Sequence, residues 1–330
     1  PGGKMRKKTL ISIAILLVFK ISLEICYLTF VNPIYVYEKF YLDYNMTKLI
    51  ISYIYSLIIF ILVIKFIASQ KRASQMIVYI LLIFLFLPIM SLYWLQNQNT
   101  AYVTCIFLSF LIAICISWIF PRVKIPTLKK IESKYLLFFV ISILTFMVYG
   151  MLIANGGINR INLNLLKVYE ARAEYNANTN FILKYLLSWQ ANVVNLILLS
   201  ITLYNKKYKL AFVVVLMQIF LFSMTNFKSY LLAPIVIIMF YLFQKTAWKN
   251  YFLLIITTGT IILVNGSLLL YSISRDLILL PSMFIRRMFF VPAQLHFQYF
   301  DFFSNKDKYF LSHSIFEGLI SSPYEKNLIS

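Results

Sequence analysis

Charge is what this chain has least of. Only 13% of its residues are Asp, Glu, Lys or Arg and 61% are apolar, whereas soluble domains run near a quarter charged and half apolar. That shortage excludes an ordinary soluble globular protein. Three cysteines, Cys26, Cys105 and Cys115, all fall inside apolar runs. They exclude a disulfide framework and are read as small buried apolar residues. Two histidines, His296 and His313, lie far from every cysteine, so no zinc-ligand spacing exists and no metal or cofactor is expected. No glycine-rich phosphate loop, Gly-x-Ser-x-Gly elbow or Asp-x-Asp cluster is present. These absences argue against a P-loop motor, an α/β-hydrolase and a metal-bound nucleotide-sugar site. The lack of a paired His-Asp motif disfavours a membrane acyltransferase. No cleavable signal is expected, because the first apolar run is too long and has no small-residue cleavage site. Residues 1–4 are read as an appended leader before Met5. No internal repeat or low-complexity tract occurs. Nor does a matched pair of interrupted helices, the mark of many secondary transporters.

What the chain does have is repeated apolar runs of spanning length. They are apolar throughout rather than alternating, which excludes a β-barrel and predicts an all-α polytopic membrane protein. Nine spans are predicted, at about 9–30, 49–68, 76–95, 101–120, 135–154, 181–204, 210–227, 229–243 and 251–271. They form a single integral membrane domain over residues 5–330. Polar external loops are predicted at about 155–180 and 272–330, holding short helices. Lys20 and Glu24 lie inside the first span, four residues apart and so on one helix face; a pair facing the bundle is expected. Pro88 sits inside the third.

The formal net charge is +20, but the surplus lies in short loops, where it sets orientation rather than marking nucleic acid as a partner. Arg6, Lys7 and Lys8 precede the first span, which predicts a cytoplasmic N-terminus. Counting loops from there, the inside segments set many Lys and Arg residues against one acid, Glu132; the outside segments are closer to balance. Arginine splits the other way. Arg160, Arg172, Arg275, Arg286 and Arg287 all fall outside, where topology does not require them. Guanidinium suits bidentate phosphate or carboxylate binding, so these five point to an anionic lipid head group or lipid-linked substrate. Plain lipid anchoring, or ion pairs with Glu170, Glu174 and Asp276, would also satisfy them.

The densest stretch is 275–301. Pro281 and Pro292 predict two short helices, about 281–290 and 292–302, since proline fits a first helical position. Arg286 and Arg287 lie on the first; Gln294, His296, Gln298 and Asp301 lie on the second. His296 can serve as a general base near neutral pH.

These features resemble a bacterial O-antigen or capsular polysaccharide polymerase of the Wzy type, an oligosaccharide repeat-unit polymerase. The resemblance is carried by the basic N-terminus with many spans, Tyr169-Glu170-Ala171-Arg172, the turn Asn226-Phe227-Lys228-Ser229, and Arg286-Arg287-Met288-Phe289-Phe290-Val291-Pro292 running on to Tyr299-Phe300. It implies a GT-C-like glycosyltransferase in the bacterial cytoplasmic (inner) membrane. The substrate would be undecaprenyl-pyrophosphate-linked oligosaccharide, polymerised at the outer face without metal, with release of undecaprenyl pyrophosphate. Membrane lipids, a flippase and a chain-length regulator are the implied partners. By position, the resemblance assigns donor pyrophosphate to Arg172, Arg286 and Arg287, with weaker transfers to Arg160, Lys228 and Arg275. His296 or Glu170 would take the acceptor proton. An O-antigen ligase-like enzyme has the same donor chemistry, and a transporter or flippase of lipid-linked oligosaccharide is the alternative of another class. The family commonly carries further spans after the second large loop, and this sequence ends at Ser330.

Overall fold

The structure, a computed structural model, describes residues 2–67, 73–119, 132–162, 175, 179–246 and 251–306. Among these it is helical with no strand. Seven helices are long and apolar enough to cross a membrane: Thr9–Glu38, Met46–Ile67, Ser74–Leu95, Thr100–Ile119, Ile182–Tyr204, Tyr208–Thr225 and Phe252–Ile273. Two further predicted spans correspond to shorter apolar helices, Ile141–Ala154 and Lys228–Phe243. Leu108, Ile112, Ile116 and Ile119 lie exposed along the fourth of these rods. In water such a face would be costly; against lipid tails it is the matched surface. The chain is therefore an all-α polytopic membrane protein.

The residues pack as two compact units, Pro1–Pro121 with Asn250–Ser330, and Arg122–Lys249. In the first unit, α1 (Gly2–Cys26) runs on through a widened π turn, Tyr27–Val31, and then Asn32–Tyr35. Next come α2 (Met46–Leu62), α3 (Ala73–Leu81), α4 (Leu87–Leu95) and α5 (Thr100–Ile119). The second unit holds α6 (Glu132–Ala154), α7 (Phe181–Trp189), α8 (Asn195–Tyr204), α9 (Tyr208–Thr225) and α10 (Lys228–Lys245). The chain then returns to the first unit with α11 (Phe252–Ile273) and α12 (Val291–Asn305). α11 packs along α1, and α4 packs along α2.

Lys20 and Glu24 pair inside the first unit, with Lys20 wholly buried. Glu24 also accepts from the Tyr53 hydroxyl at 2.7 Å and from Trp94 Nε1 at 2.9 Å. A buried carboxylate with three donors satisfies the cost of leaving water. The cysteines are free thiols; Cys26 is buried as expected, but Cys105 and Cys115 are exposed on the outer face of α5.

The stretch expected to split into two helices does not. Leu279–Pro281, the π segment Ser282–Phe290 and α12 follow one another with helical backbone at every junction. Pro292 removes an N–H, and its ring would meet the carbonyl four residues back. The wide π turn before it relieves that conflict, with Val291 N–H bonding to the Arg286 carbonyl five residues back. Phe289 and Phe290 are buried: Phe289 stacks on Phe84 and meets Phe19 edge-on, while Phe290 packs on Tyr27.

Candidate functional site

A cavity of about 740 Å³ opens in the first unit, between α12 and the segment after α1. It lies where the first and third crossing helices end, at Glu38 and Leu95, and where the second and fourth begin. One wall is built by the turn that ends the first span. The 3-10 turn Val36–Glu38 is closed by Lys39, whose φ of 68° is left-handed. A lysine there is uncommon and must be held by its surroundings. Its carbonyl takes two side-chain amides, Gln96 Nε2 at 3.1 Å and Gln294 Nε2 at 3.2 Å. Tyr27 donates to the Tyr41 carbonyl at 2.6 Å and accepts from Gln96 at 2.8 Å. Asp43 N–H and Asn45 N–H bond to the Leu95 and Trp94 carbonyls, each at 3.0 Å. Residues 39–45 are thus stitched to the end of α4 by backbone and amide bonds, giving a firm wall.

The opposite wall is α12. Gln294, Phe297, Gln298, Asp301, Phe302 and Asn305 face the cavity, with Tyr37, Glu38 and Tyr41 across from them. Burial first, then the Asp301 and Asp43 carboxylates, raise the Tyr41 hydroxyl above its ordinary pKa. Tyr41 therefore stays a neutral donor at physiological pH. Gln98 donates Nε2 to Gln96 Oε1 at 3.1 Å. Gln294 likewise spends its Nε2 on Lys39, while its Oε1 is buried with no hydrogen-bond partner among the described residues.

Arg286 meets this site through Glu38. Its Nη1 pairs with Glu38 Oε2, and Nε and Nη2 both reach Ser282 Oγ at 3.2 Å. Its guanidinium lies 4.2 Å from the Tyr35 ring centre. Arg286 is buried, so its charge is committed to a carboxylate and an aromatic face. Arg287, its neighbour, is exposed. Arg275 is also exposed, 4.6 Å over the Tyr271 ring. His296 is absent from the cavity wall; its Nδ1 lies 3.4 Å from the Tyr102 hydroxyl. Burial lowers its pKa, so the ring is neutral at pH 7.

The other predicted residues belong to the second unit. Arg160 is buried beside the Tyr175 ring at 5.8 Å and donates Nη2 to the Asn155 carbonyl at 2.7 Å. Its Nε and Nη1 have no hydrogen-bond partner among the described residues. Lys228 opens α10, after Asn226 ends α9 in a left-handed turn. Glu170, Arg172 and His313 lie outside the described residues. The structure thus brings Arg286 to the cavity edge and leaves His296 beside it. Glu38 and Asp301, which line the cavity, were given no role in the sequence reading. Glu38 and Arg286 are 248 residues apart, and no local pattern joins them; the tyrosine-rich run around Glu38 was the one available signal.

Comparison with protein-family models, curated proteins and solved structures finds no match for this chain.

Proposed function

We propose that this chain is a membrane glycosyltransferase that extends oligosaccharide repeat units carried on a polyprenyl pyrophosphate, in the manner of the repeat-unit polymerases it resembles. The cavity carries the reading: it sits at one end of the crossing helices, with aromatic rings, side-chain amides and two carboxylates facing one another. Aromatic faces suit the apolar faces of sugar rings, and carboxylates and amides suit their hydroxyls. The basic loops favour an orientation with this end outside a bacterial cytoplasmic membrane and the N-terminus inside, which the reading adopts.

In this scheme the acceptor hydroxyl attacks the anomeric carbon of the donor sugar. Its proton passes to the Asp301 carboxylate, the new C–O bond forms, and the bond to the pyrophosphate oxygen breaks. Arg286 is a positioning residue that holds Glu38 in the cavity wall, where Glu38 orients the acceptor. The leaving pyrophosphate is met by the exposed guanidinium of Arg287.

The test is reconstitution. Purified protein in liposomes, given a polyprenyl-pyrophosphate-linked repeat unit from the source cell, should produce a ladder of lengths without added nucleotide or metal. Asp301→Asn should slow it roughly a hundred-fold, as loss of a general base does. A folded protein that leaves the unit unextended overturns the reading.

A further inference from the structure

At one end of the second unit, cations gather with no acid to meet them. From Tyr175 to Arg275 the sequence contains no Asp or Glu. Within that stretch Lys206, Lys207 and Lys209 crowd the turn from α8 into α9, and Lys245 ends α10. All four are exposed, and none is in an ion pair among the described residues. The turn is firmly set. Lys206 has a left-handed φ of 57°, its N–H bonds to the Leu203 carbonyl at 3.1 Å, and the Lys207 N–H bonds to the Thr202 carbonyl at 2.9 Å. Two phenols then fix the ammonium that comes from α10. Lys245 Nζ lies 4.1 Å from the Tyr241 ring centre and donates to the Tyr208 hydroxyl at 3.3 Å. The two hydroxyls bond to each other at 3.2 Å. Tyr241 in turn rests on the buried cluster Leu199, Leu203, Ala211 and Val214. The phenols hold this ammonium in place without supplying a counter-charge, and two of its three N–H groups remain for an anion.

From this we infer that the shared end of α8, α9 and α10 is a binding site for an anionic phospholipid, with the phosphate on Lys245 and the lysines of the turn. The exposed apolar side chains Leu210, Phe212 and Leu242 follow these cations along the same helices, as acyl chains below a headgroup require. In the orientation adopted above, this end meets the cytoplasmic leaflet, whose surface is the anionic one. Loop charge alone would attract such lipids diffusely; the phenol-held Lys245 makes one position preferred. The inference is independent of the polymerase reading.

The experiment uses the delipidated full chain in detergent, titrated with phosphatidylglycerol or phosphatidylcholine of identical acyl chains and read by native mass spectrometry. The first phosphatidylglycerol should bind about thirty-fold tighter than phosphatidylcholine, the weight of two lysines near an anionic surface. The choline cation cancels the phosphate charge that the site reads. Lys245→Met should weaken phosphatidylglycerol about five-fold, the weight of one lysine, and leave phosphatidylcholine unchanged. Lys245→Gln with Thr246→Lys keeps the net charge but takes the ammonium off the phenols, and should weaken phosphatidylglycerol as much as Lys245→Met does. Both positions are exposed, so these variants keep the fold. Equal affinity for the two lipids overturns the proposal. So does wild-type binding by the variant with the lysine moved, which would make the attraction diffuse. Displacement of phosphatidylglycerol by equimolar inorganic phosphate also overturns it, in favour of a free-phosphate site.

Discussion

Glu24 has three donors, one of them the wholly buried cation of Lys20, and the four groups act as a unit. Lys20 lies 4.2 Å over the Tyr53 ring whose hydroxyl also serves Glu24. Removing Lys20 alone leaves a carboxylate inside the bundle with no counter-charge. Lys20→Met should therefore destabilise the protein by about 3–5 kcal/mol, the usual cost of breaking a buried pair from one side. Lys20→Met with Glu24→Gln should recover most of that, because the amide oxygen still accepts from Tyr53 and Trp94. Denaturant unfolding in detergent measures both; a double variant as unstable as the single would show that Lys20 acts through packing alone. This pair was legible in the sequence because its members are four residues apart on one helix. The Glu38–Arg286 pair was not, because its members meet only after the chain has folded back on itself. The same limit applies to Gln294, whose unmatched oxygen follows from what its nitrogen found at Lys39.

At the level of elements, the prolines carry a regularity that spacing alone does not reveal. Pro33, Pro88 and Pro292 each stand two residues after a π segment, at Tyr27–Val31, Leu82–Phe86 and Ser282–Phe290. In each case the carbonyl four residues before the proline belongs to the widened turn. The helix is not broken; it is loosened one turn early, so that the ring fits and the rod continues. A proline in a sequence is equally compatible with a fresh helix start, which is why the stretch at 275–301 was expected as two pieces. Packing of Phe289 and Phe290 against α1 and the segment before α4 settles the choice. The widened turn also sets the direction of Arg286. Pro292→Ala restores the missing N–H and lets a tighter α register spread backwards. The coupling between Glu38 and Arg286, expected near 1.5–3 kcal/mol for a charged hydrogen bond, should then fall by about half or more. A double-mutant cycle with Glu38→Gln and Arg286→Met, run with and without Pro292→Ala, gives the comparison. Unchanged coupling would mean that packing alone holds the register.

For the whole molecule, the class of fold followed directly from composition, since apolar runs that need no partner inside a soluble core have few other homes. Exposed Ile and Leu along the rods agree with that, as does the absence of strands among the described residues. Among the described residues seven helices meet the length and apolarity of a crossing, and the count of nine depends on Ile141–Ala154 and Lys228–Phe243, which are shorter. Helix length is readable from sequence; which end faces which side is carried only by loop charge. Arg6, Lys7 and Lys8 before the first span predict that the cavity end, after Glu38, is external. The consequence can be measured in intact cells. Cys26, Cys105 and Cys115 are the chain's only cysteines and are first replaced by alanine. Tyr44 is 59% exposed in the segment between the first two spans, beside the cavity wall. Tyr44→Cys should react with a membrane-impermeant maleimide added outside, whereas Lys7→Cys should react only after the cells are opened. The reverse pattern would place the cavity on the cytoplasmic side. There it could not receive a substrate presented at the outer face, and the polymerase reading would fail with the orientation.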